Sequence, residues 1–266
     1  MTPATPRVRP AAVVGRFYPS DPGVLATQVD ALVGTGRDAP APKALIVPHA
    51  GYVFSGPVAG AGYATVRALR GIVEHVVLLG PAHHVAVEGL VTVSVDALDT
   101  PLGPVRVDDA ARRAVLDLAE VSVDDRAHAP EHSLEVHLPF LTRVLGDVAV
   151  LPLLAGHTPA PTVARVLDAV WNGPQTLIVV STDLSHFLDH PTATARDRRT
   201  AAAIVAGDLD AISSDDACGA AGVRGLVLAA LQRGMRVELL DLRNSGDTAG
   251  PRDRVVGYGA FALDAP

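Results

Sequence analysis

Residues 45–56 read LIVPHAGYVFSG, an apolar run that ends in a proline and a histidine. A short, fully apolar run rich in β-branched residues is typical of a strand that is buried on both faces, as in a parallel sheet. His49 follows this strand directly, and in open α/β sheets ligands bind at the edge where the carboxyl ends of the strands meet. The stretch therefore predicts a buried strand with a chemically useful side chain at its end.

Apolar runs of the same kind recur along the chain and alternate with segments of helical periodicity. Strands are predicted within residues 43–50, 74–84, 89–95, 148–156, 175–186, 235–242 and 254–263. Helices are predicted within residues 25–34, 55–71, 108–120, 129–146, 159–171 and 218–234, with Ser55 as an N-cap and Pro139 near a first turn. This alternation predicts a single-domain α/β sandwich over residues 1–266, with a mostly parallel or mixed central sheet flanked by helices.

The composition excludes several classes of function. The 266 residues carry a formal net charge of −7, which argues against nucleic acid or an anionic membrane as a partner, because both need a basic surface. No run reaches the roughly 20 apolar residues of a membrane span, and the first residues lack the apolar segment of a signal peptide. Cys218 is the only cysteine. We therefore expect a cytoplasmic protein without intrachain disulfides.

Three predicted strands end in groups that can bind metals or move protons. His49 follows the first, His83 and His84 follow the second, and Asp183 and His186 follow a third. Any one of them alone is more simply explained as a surface group or a cap. Because the carboxyl ends of parallel strands share one edge, we expect these side chains to converge in one cleft. GxSxG, Walker A and GxGxxG motifs are absent, which disfavours a serine hydrolase, an NTPase or a dinucleotide enzyme.

Cys218 is a further candidate, because it precedes Gly219 at a predicted helix start. The backbone N–H groups and the macrodipole of a helix start lower the pKa of a thiol, which favours the metal-binding thiolate. A small buried hydrophobic role explains the residue equally well. The segment EHSLEVHLPF adds His132 and Glu135, which a helix would place on one face. We expect this pair to support the cleft rather than to bind metal.

Six stretches, taken in order, resemble the motifs of the Memo family, whose bacterial members include AmmeMemoRadiSam system protein B. They are VPHAGYVFSG, LLGPAHH, EHSLEVHLPF, STDLSHF, the Cys218–Gly219 pair, and NSGD followed by VVGYGAF. The resemblance extends from about residue 15 to residue 261.

The resemblance implies a fold similar to that of class III extradiol dioxygenases. Carried over motif by motif, it implies metal ligands at His49, His83 and Cys218, and catalytic roles for Asp183 and His186. The implied metal is Fe(II) or copper, as Cu(I) or Cu(II), with zinc as a further candidate. Four residues are expected to surround this site without binding the metal: His84, His132, Glu135 and Tyr52.

Three functions follow as hypotheses. The first is a metal-dependent oxidoreductase in which His186 moves protons on a small-molecule substrate. The second is a non-catalytic metal-binding or adaptor protein, with other AmmeMemoRadiSam proteins as candidate partners. The third, zinc-type hydrolysis with Asp183 or Glu135 as the base, has no motif to support it.

Overall fold

The computed structural model describes residues 5–35 and 41–264. Most of the strands in this part of the chain are buried and form a central sheet. Twelve strands are found in these residues, most of them short and apolar as the sequence pattern predicts. They are β1 (Val8–Arg9), β2 (Ala44–Val47), β3 (His75–Pro81), β4 (Leu90–Thr92), β5 (Ala97–Leu98), β6 (Val105–Val107), β7 (Val121–Val123), β8 (Ala149–Ala155), β9 (Thr176–Ser181), β10 (His186–Leu188), β11 (Arg236–Asn244) and β12 (Val255–Asp264).

The centre of the sheet is parallel and its margins are mixed. The main path has the order β1-β5-β6-β8-β3-β9-β2-β12-β10, with β11 paired to β12 and β4 paired to β7 and β8. Strands β8, β3, β9 and β2 run in the same direction, whereas β12 is antiparallel to β2. This confirms the predicted sheet and brings the carboxyl ends of the central strands, including Val47 and Ser181, to one edge.

Helices cover both faces of the sheet. They are α1 (Pro22–Val33), α2 (Tyr52–Ala64), α3 (Asp109–Leu116), α4 (Asp125–His128), α5 (Leu138–Leu145), α6 (Ala160–Ala169), α7 (His190–Ala206), α8 (Ala220–Leu231) and α9 (Ser245–Thr248). Alternate residues of each strand face opposite sides, so that Leu45 and Val47 join one core and Ala44 and Ile46 join the other. Helices α1, α2 and α5 pack on the first side and α6, α7 and α8 on the second. Among the described helices none is long and apolar enough to span a bilayer.

Two expectations about helix starts are wrong. Helix α2 begins at Tyr52 rather than after Ser55, whose hydroxyl instead donates to the carbonyl of Ala50. Helix α5 begins at Leu138 and does place Pro139 in its first turn, but His132 lies before it in irregular backbone and Glu135 opens a single 3-10 turn. His132 and Glu135 therefore do not share a helix face, because the proline allows the helix to begin only after them.

A buried carboxylate fixes the amino-terminal segment to the rest of the fold. Glu135 has a fully buried side chain and accepts hydrogen bonds from Arg9 Nη1 at 2.7 Å, from the Ala12 and Val13 N–H groups at 2.7 and 2.9 Å, and from the Tyr18 hydroxyl at 2.7 Å. Four donors satisfy the carboxylate, which offsets the cost of removing a charge from water.

Glu135→Ala is expected to destabilise the protein by about 3–5 kcal/mol, because it leaves the buried guanidinium of Arg9 without its counter-charge. Urea denaturation followed by circular dichroism would measure the change. Asp147→Ala is the matched control, because Asp147 pairs with Arg106 on the surface, with 84% and 62% of the two side chains exposed. It should change stability by no more than about 1 kcal/mol. Equal effects of the two substitutions would contradict the anchoring role of Glu135.

Candidate functional site

Three imidazoles meet beyond the carboxyl ends of the central strands. His49 follows β2, His83 follows β3, and His132 lies in the irregular segment before α5. The ring centroids of His49 and His83 are 5.1 Å apart, those of His49 and His132 5.5 Å, and those of His83 and His132 4.8 Å. One nitrogen of each ring lies within 4.8 Å of the other two. We call His49, His83 and His132 the histidine cluster. His132, expected to surround the site without binding metal, lies in the cluster itself.

A serine at the end of β9 orients His49. The Ser181 hydroxyl donates to the carbonyl of Ser133 at 2.7 Å, so its oxygen is left to accept hydrogen bonds. It lies 2.6 Å from His49 Nδ1 and 2.9 Å from His137 Nε2. Both nitrogens must then carry the proton, which leaves the Nε2 atom of His49 with a free lone pair. That lone pair is the one which a metal ion would use.

A buried carboxylate orients His83 in the same way. Glu131 accepts from His83 Nδ1 at 2.9 Å and from the N–H groups of His83, His132 and Ser133 at 2.6, 2.9 and 2.9 Å. Burial alone would raise the pKa of Glu131, but the hydrogen bonds from His83 and Ser133 lower it to about 2. An ionised acceptor keeps the proton of His83 on Nδ1 and frees Nε2, the arrangement common behind metal-binding histidines.

The buried imidazoles are held in the neutral form. Burial lowers the pKa of His49 well below its ordinary value, and the neighbouring rings of His83, His132, His137 and His186 lower it further. Burial likewise lowers the pKa of His132 to about 4 and that of His137 to about 3. Neutral imidazole is the form that binds metals.

Asp183 and His186 lie beside the cluster. The N–H of His49 donates to Asp183 Oδ1 at 2.8 Å, and burial raises the pKa of the Asp183 carboxyl to about 7 although this hydrogen bond lowers it. Burial lowers the pKa of His186, and the neighbouring His83 lowers it further. The strand-end residues expected to converge are therefore brought together around His49, with one acid and one base of perturbed pKa among them.

Cys218 touches the cluster from the side of α8. Its Sγ lies 3.4 Å from His49 Nε2, and the N–H of Asp183 donates to it at 3.3 Å. Neither group of three potential ligands found among the described residues includes it. Burial and the nearby Asp183 raise the pKa of the Cys218 thiol to about 12, so the expectation of a lowered thiol pKa is wrong for the metal-free protein. The next residue must be glycine, because a Cβ at Gly219 would lie 2.5 Å from the Ser181 carbonyl oxygen.

Of the three remaining expected residues, His84 and Tyr52 lie near the cluster or hold a segment of it, whereas Glu135 does not. His84 is exposed, with its ring centroid 5.9 Å from that of His132, and a nitrogen of each lies within 4.8 Å of a Glu131 oxygen. The Tyr52 hydroxyl donates to the carbonyl of Val136 at 2.7 Å and so holds the segment that carries His132. Glu135 binds the amino-terminal segment instead of the cluster.

Sequence reasoning missed Glu131 and Ser181 as functional residues. Both lie inside the quoted motifs, Glu131 directly before His132 and Ser181 two residues before Asp183. The sequence feature that could have identified Glu131 is its position directly before His132.

The donor set fits a transition-metal ion. Imidazole suits iron, copper and zinc, and a thiol that loses its proton adds a soft ligand that favours copper or zinc. Two ligand bonds of about 2.0 and 2.3 Å at a tetrahedral angle separate nitrogen and sulfur by about 3.5 Å. The 3.4 Å between His49 Nε2 and Cys218 Sγ is close to this spacing. His83 is partly exposed, so the cluster can be reached from solvent.

Comparisons with known proteins show that the chain is similar to the proteins of one family over most of its length. A family model described as Memo-like protein matches residues 9–262. A MEMO1 family protein of Aquifex aeolicus is 34% identical over 269 residues, covering 95% of this chain and 97% of its own, and one of Methanopyrus kandleri is 34% identical over 279 residues, covering 96% and 98%. The crystal structure of an uncharacterized protein from Escherichia coli K12 is similar in fold, with a TM-score of 0.53 at 15% identity, over 81% of this chain and 98% of its own.

The metal-free protein should keep His49 as the neutral Nδ1–H form at pH values well below the ordinary histidine pKa, whereas His132 should become protonated only near its pKa of about 4. The sign follows from burial, which penalises the imidazolium cation and so lowers the pKa. Two-bond ¹H–¹⁵N correlation spectra of the imidazoles during a pH titration would measure both.

Ser181→Ala should remove the Nδ1–H preference of His49, because it deletes the acceptor at 2.6 Å. Ser94→Ala, on an exposed hydroxyl elsewhere, is the control. In the pH titration of the unsubstituted protein, a midpoint near the ordinary 6.5 for His132 would contradict the low pKa expected for this buried ring.

Proposed function

The chain belongs to the Memo family, and from that premise and the geometry of the histidine cluster we propose that it is a metal-binding protein whose ion serves oxidation–reduction chemistry on a small molecule. One observation carries the proposal: nitrogens of His49, His83 and His132 lie within 4.8 Å of one another. The hydrogen bonds of Ser181 and Glu131 aim the free lone pairs of His49 and His83 away from those partners.

In this proposal the cluster holds the metal and Cys218 joins it as a soft ligand. Fe(II) and copper, as Cu(I) or Cu(II), suit such a donor set, and Zn(II) competes with them. An iron or copper ion would supply the electron-transfer and O₂ chemistry that protein side chains lack. The family resemblance implies a fold similar to that of class III extradiol dioxygenases, and this similarity makes a small aromatic diol the first substrate to test.

The groups that would hold and move protons are Asp183 and His186. Asp183 is buried against His49, and His186 is close enough to His49 to lower the pKa of that ring. General acid–base catalysis needs such a group within hydrogen-bond reach of the reacting atoms. The cleft edge at His83 is open, so a small molecule can approach this pair from solvent.

Metal binding should fail when His49 or His83 is removed, because both belong to the histidine cluster and to the ligand set that the family resemblance implies. His49→Ala and His83→Ala are expected to abolish tight binding of Cu(I), Zn(II) and Fe(II), measured anaerobically by calorimetry. His132→Ala and Cys218→Ser should each weaken binding more than tenfold, about 1.4 kcal/mol, because each removes one ligand. His75→Ala is the matched control, since His75 lies at the other end of β3 and contacts Asp108 at 2.6 Å.

Full affinity in the His132 or the Cys218 variant would remove that residue from the ligand set, and full affinity in His49→Ala would refute the metal site. Oxygen uptake with catechol then separates turnover from storage. A protein that binds metal without consuming O₂ would favour the non-catalytic alternative.

A further inference from the structure

Arg224, whose buried Nε has no hydrogen-bond partner among the described residues, lines a cavity next to the histidine cluster. The cavity has a volume of about 570 Å³ and lies beyond the carboxyl ends of β3 and β8, against the first turns of α8. Cys218 forms part of its wall, and Cys218 Sγ is 3.4 Å from His49 Nε2, so the cavity and the cluster share this residue. A volume of about 300–1,000 Å³ is usual for sites that bind small molecules.

The cavity wall is mainly apolar, with His157, Thr158 and Ser214 as neutral polar groups and Arg224 at one end. Its apolar part includes Pro81, Val87 and Pro159, and no aspartate or glutamate is among the described residues that line it. Arg224 is therefore the one wall residue with a permanent charge. By contrast, a cavity of about 680 Å³ lined by Arg198 and Arg236 also contains Glu238 and Asp264, so its charges balance.

In the described part of the chain, one donor of the Arg224 guanidinium lacks the acceptor that a buried nitrogen normally has. Its Nε atom is buried and has no hydrogen-bond partner among the described residues, and no ion pair to it is found in the same part of the chain. A buried donor without an acceptor destabilises the protein. Such a group is expected where a ligand supplies the missing acceptor.

The sequence of α8 leaves room for that ligand. Ala220 and Ala221 lie four and three residues before Arg224, so all three share one helix face, and all three line the cavity. Helical side chains lean toward the helix start, which directs the Arg224 side chain to the end of α8 that adjoins Cys218. Small residues at 220 and 221 keep the space open in front of the guanidinium.

We propose that this cavity binds a small organic carboxylate with an apolar body, its carboxylate on Arg224 and its body directed toward Cys218. A guanidinium binds a carboxylate with two parallel hydrogen bonds, which gives orientation as well as affinity. The assignment of this ligand as the substrate rests on the proposed function, because only a metal at the cluster makes the neighbouring cavity a reaction site. Binding itself does not depend on the metal.

Benzoate and its neutral analogue benzamide test the charge requirement. In metal-free protein, ligand-observed NMR titration should show benzoate binding at least tenfold more tightly than benzamide. Arg224→Gln should remove that difference, and Arg224→Lys should restore part of it. Arg198→Gln, which removes the same charge at the other cavity, should leave benzoate affinity unchanged within twofold.

Ala221→Leu tests the place of binding, because a larger side chain fills the cavity without changing charge. It should weaken benzoate at least tenfold while circular dichroism shows an unchanged fold. Equal binding of benzoate and benzamide, or unchanged benzoate affinity in both Arg224→Gln and Ala221→Leu, would overturn the proposal.

Paramagnetic Cu(II) tests the link to the cluster. Added Cu(II) should broaden the ring signals of bound benzoate in the unsubstituted protein but not in His49→Ala, which keeps the Arg224 cavity. Absence of broadening in protein that binds Cu(II) would overturn the substrate assignment. Failure to bind Cu(II) would instead refute the proposed function, while the benzoate titration still decides whether Arg224 binds a carboxylate.

Discussion

The site depends on one buried carboxylate, that of Glu131. It accepts four hydrogen bonds from the loop after β3 and from its own segment before α5, and these bonds bring His83 and His132 to within 4.8 Å between ring centroids. Charged acceptors form hydrogen bonds roughly twice as strong as neutral ones, so a single carboxylate can hold two irregular segments in register. Without it the stacked imidazoles would have no fixed separation, and the cluster would lose the geometry that suits a metal.

Ser181 has the same function on the other side of the cluster. Its hydroxyl links the end of β9 to the ring of His49 and to the carbonyl of Ser133, so the parallel pairing of β2 with β9 also sets the position of an imidazole. Glu131 and Ser181 bind the far nitrogens of the proposed ligands His83 and His49, and such partners determine which ring nitrogen keeps its proton. The positions of these two imidazoles therefore depend on the sheet, because each ring is held by a hydrogen bond close to the end of a strand.

The sequence predicted the sheet and most of the cleft because both follow from local patterns. Apolar runs identify β2, β3 and β9, and parallel strands must end at one edge, so His49, His83 and Asp183 could be placed together. The place of His132 could not be predicted, because the start of α5 at Leu138 depends on Pro139 and on tertiary contacts of Glu135. Gly60 in α2 also reflects a tertiary contact, because a Cβ there would collide with the Leu32 carbonyl of α1.

Cys218 shows how burial can reverse an expectation from local sequence. The dipole of a helix start stabilises a nearby anion by about 0.3–1 kcal/mol at exposed positions. A tenfold change in proton affinity corresponds to about 1.4 kcal/mol, and burial with Asp183 nearby raises the pKa of this thiol to about 12, so desolvation outweighs the dipole. In the metal-free protein the sulfur is therefore a neutral thiol beside the lone pair of His49 Nε2. A cation bound there would have to displace the thiol proton, so the affinity of Cys218 for a metal should rise with pH in a range where His49 is already neutral.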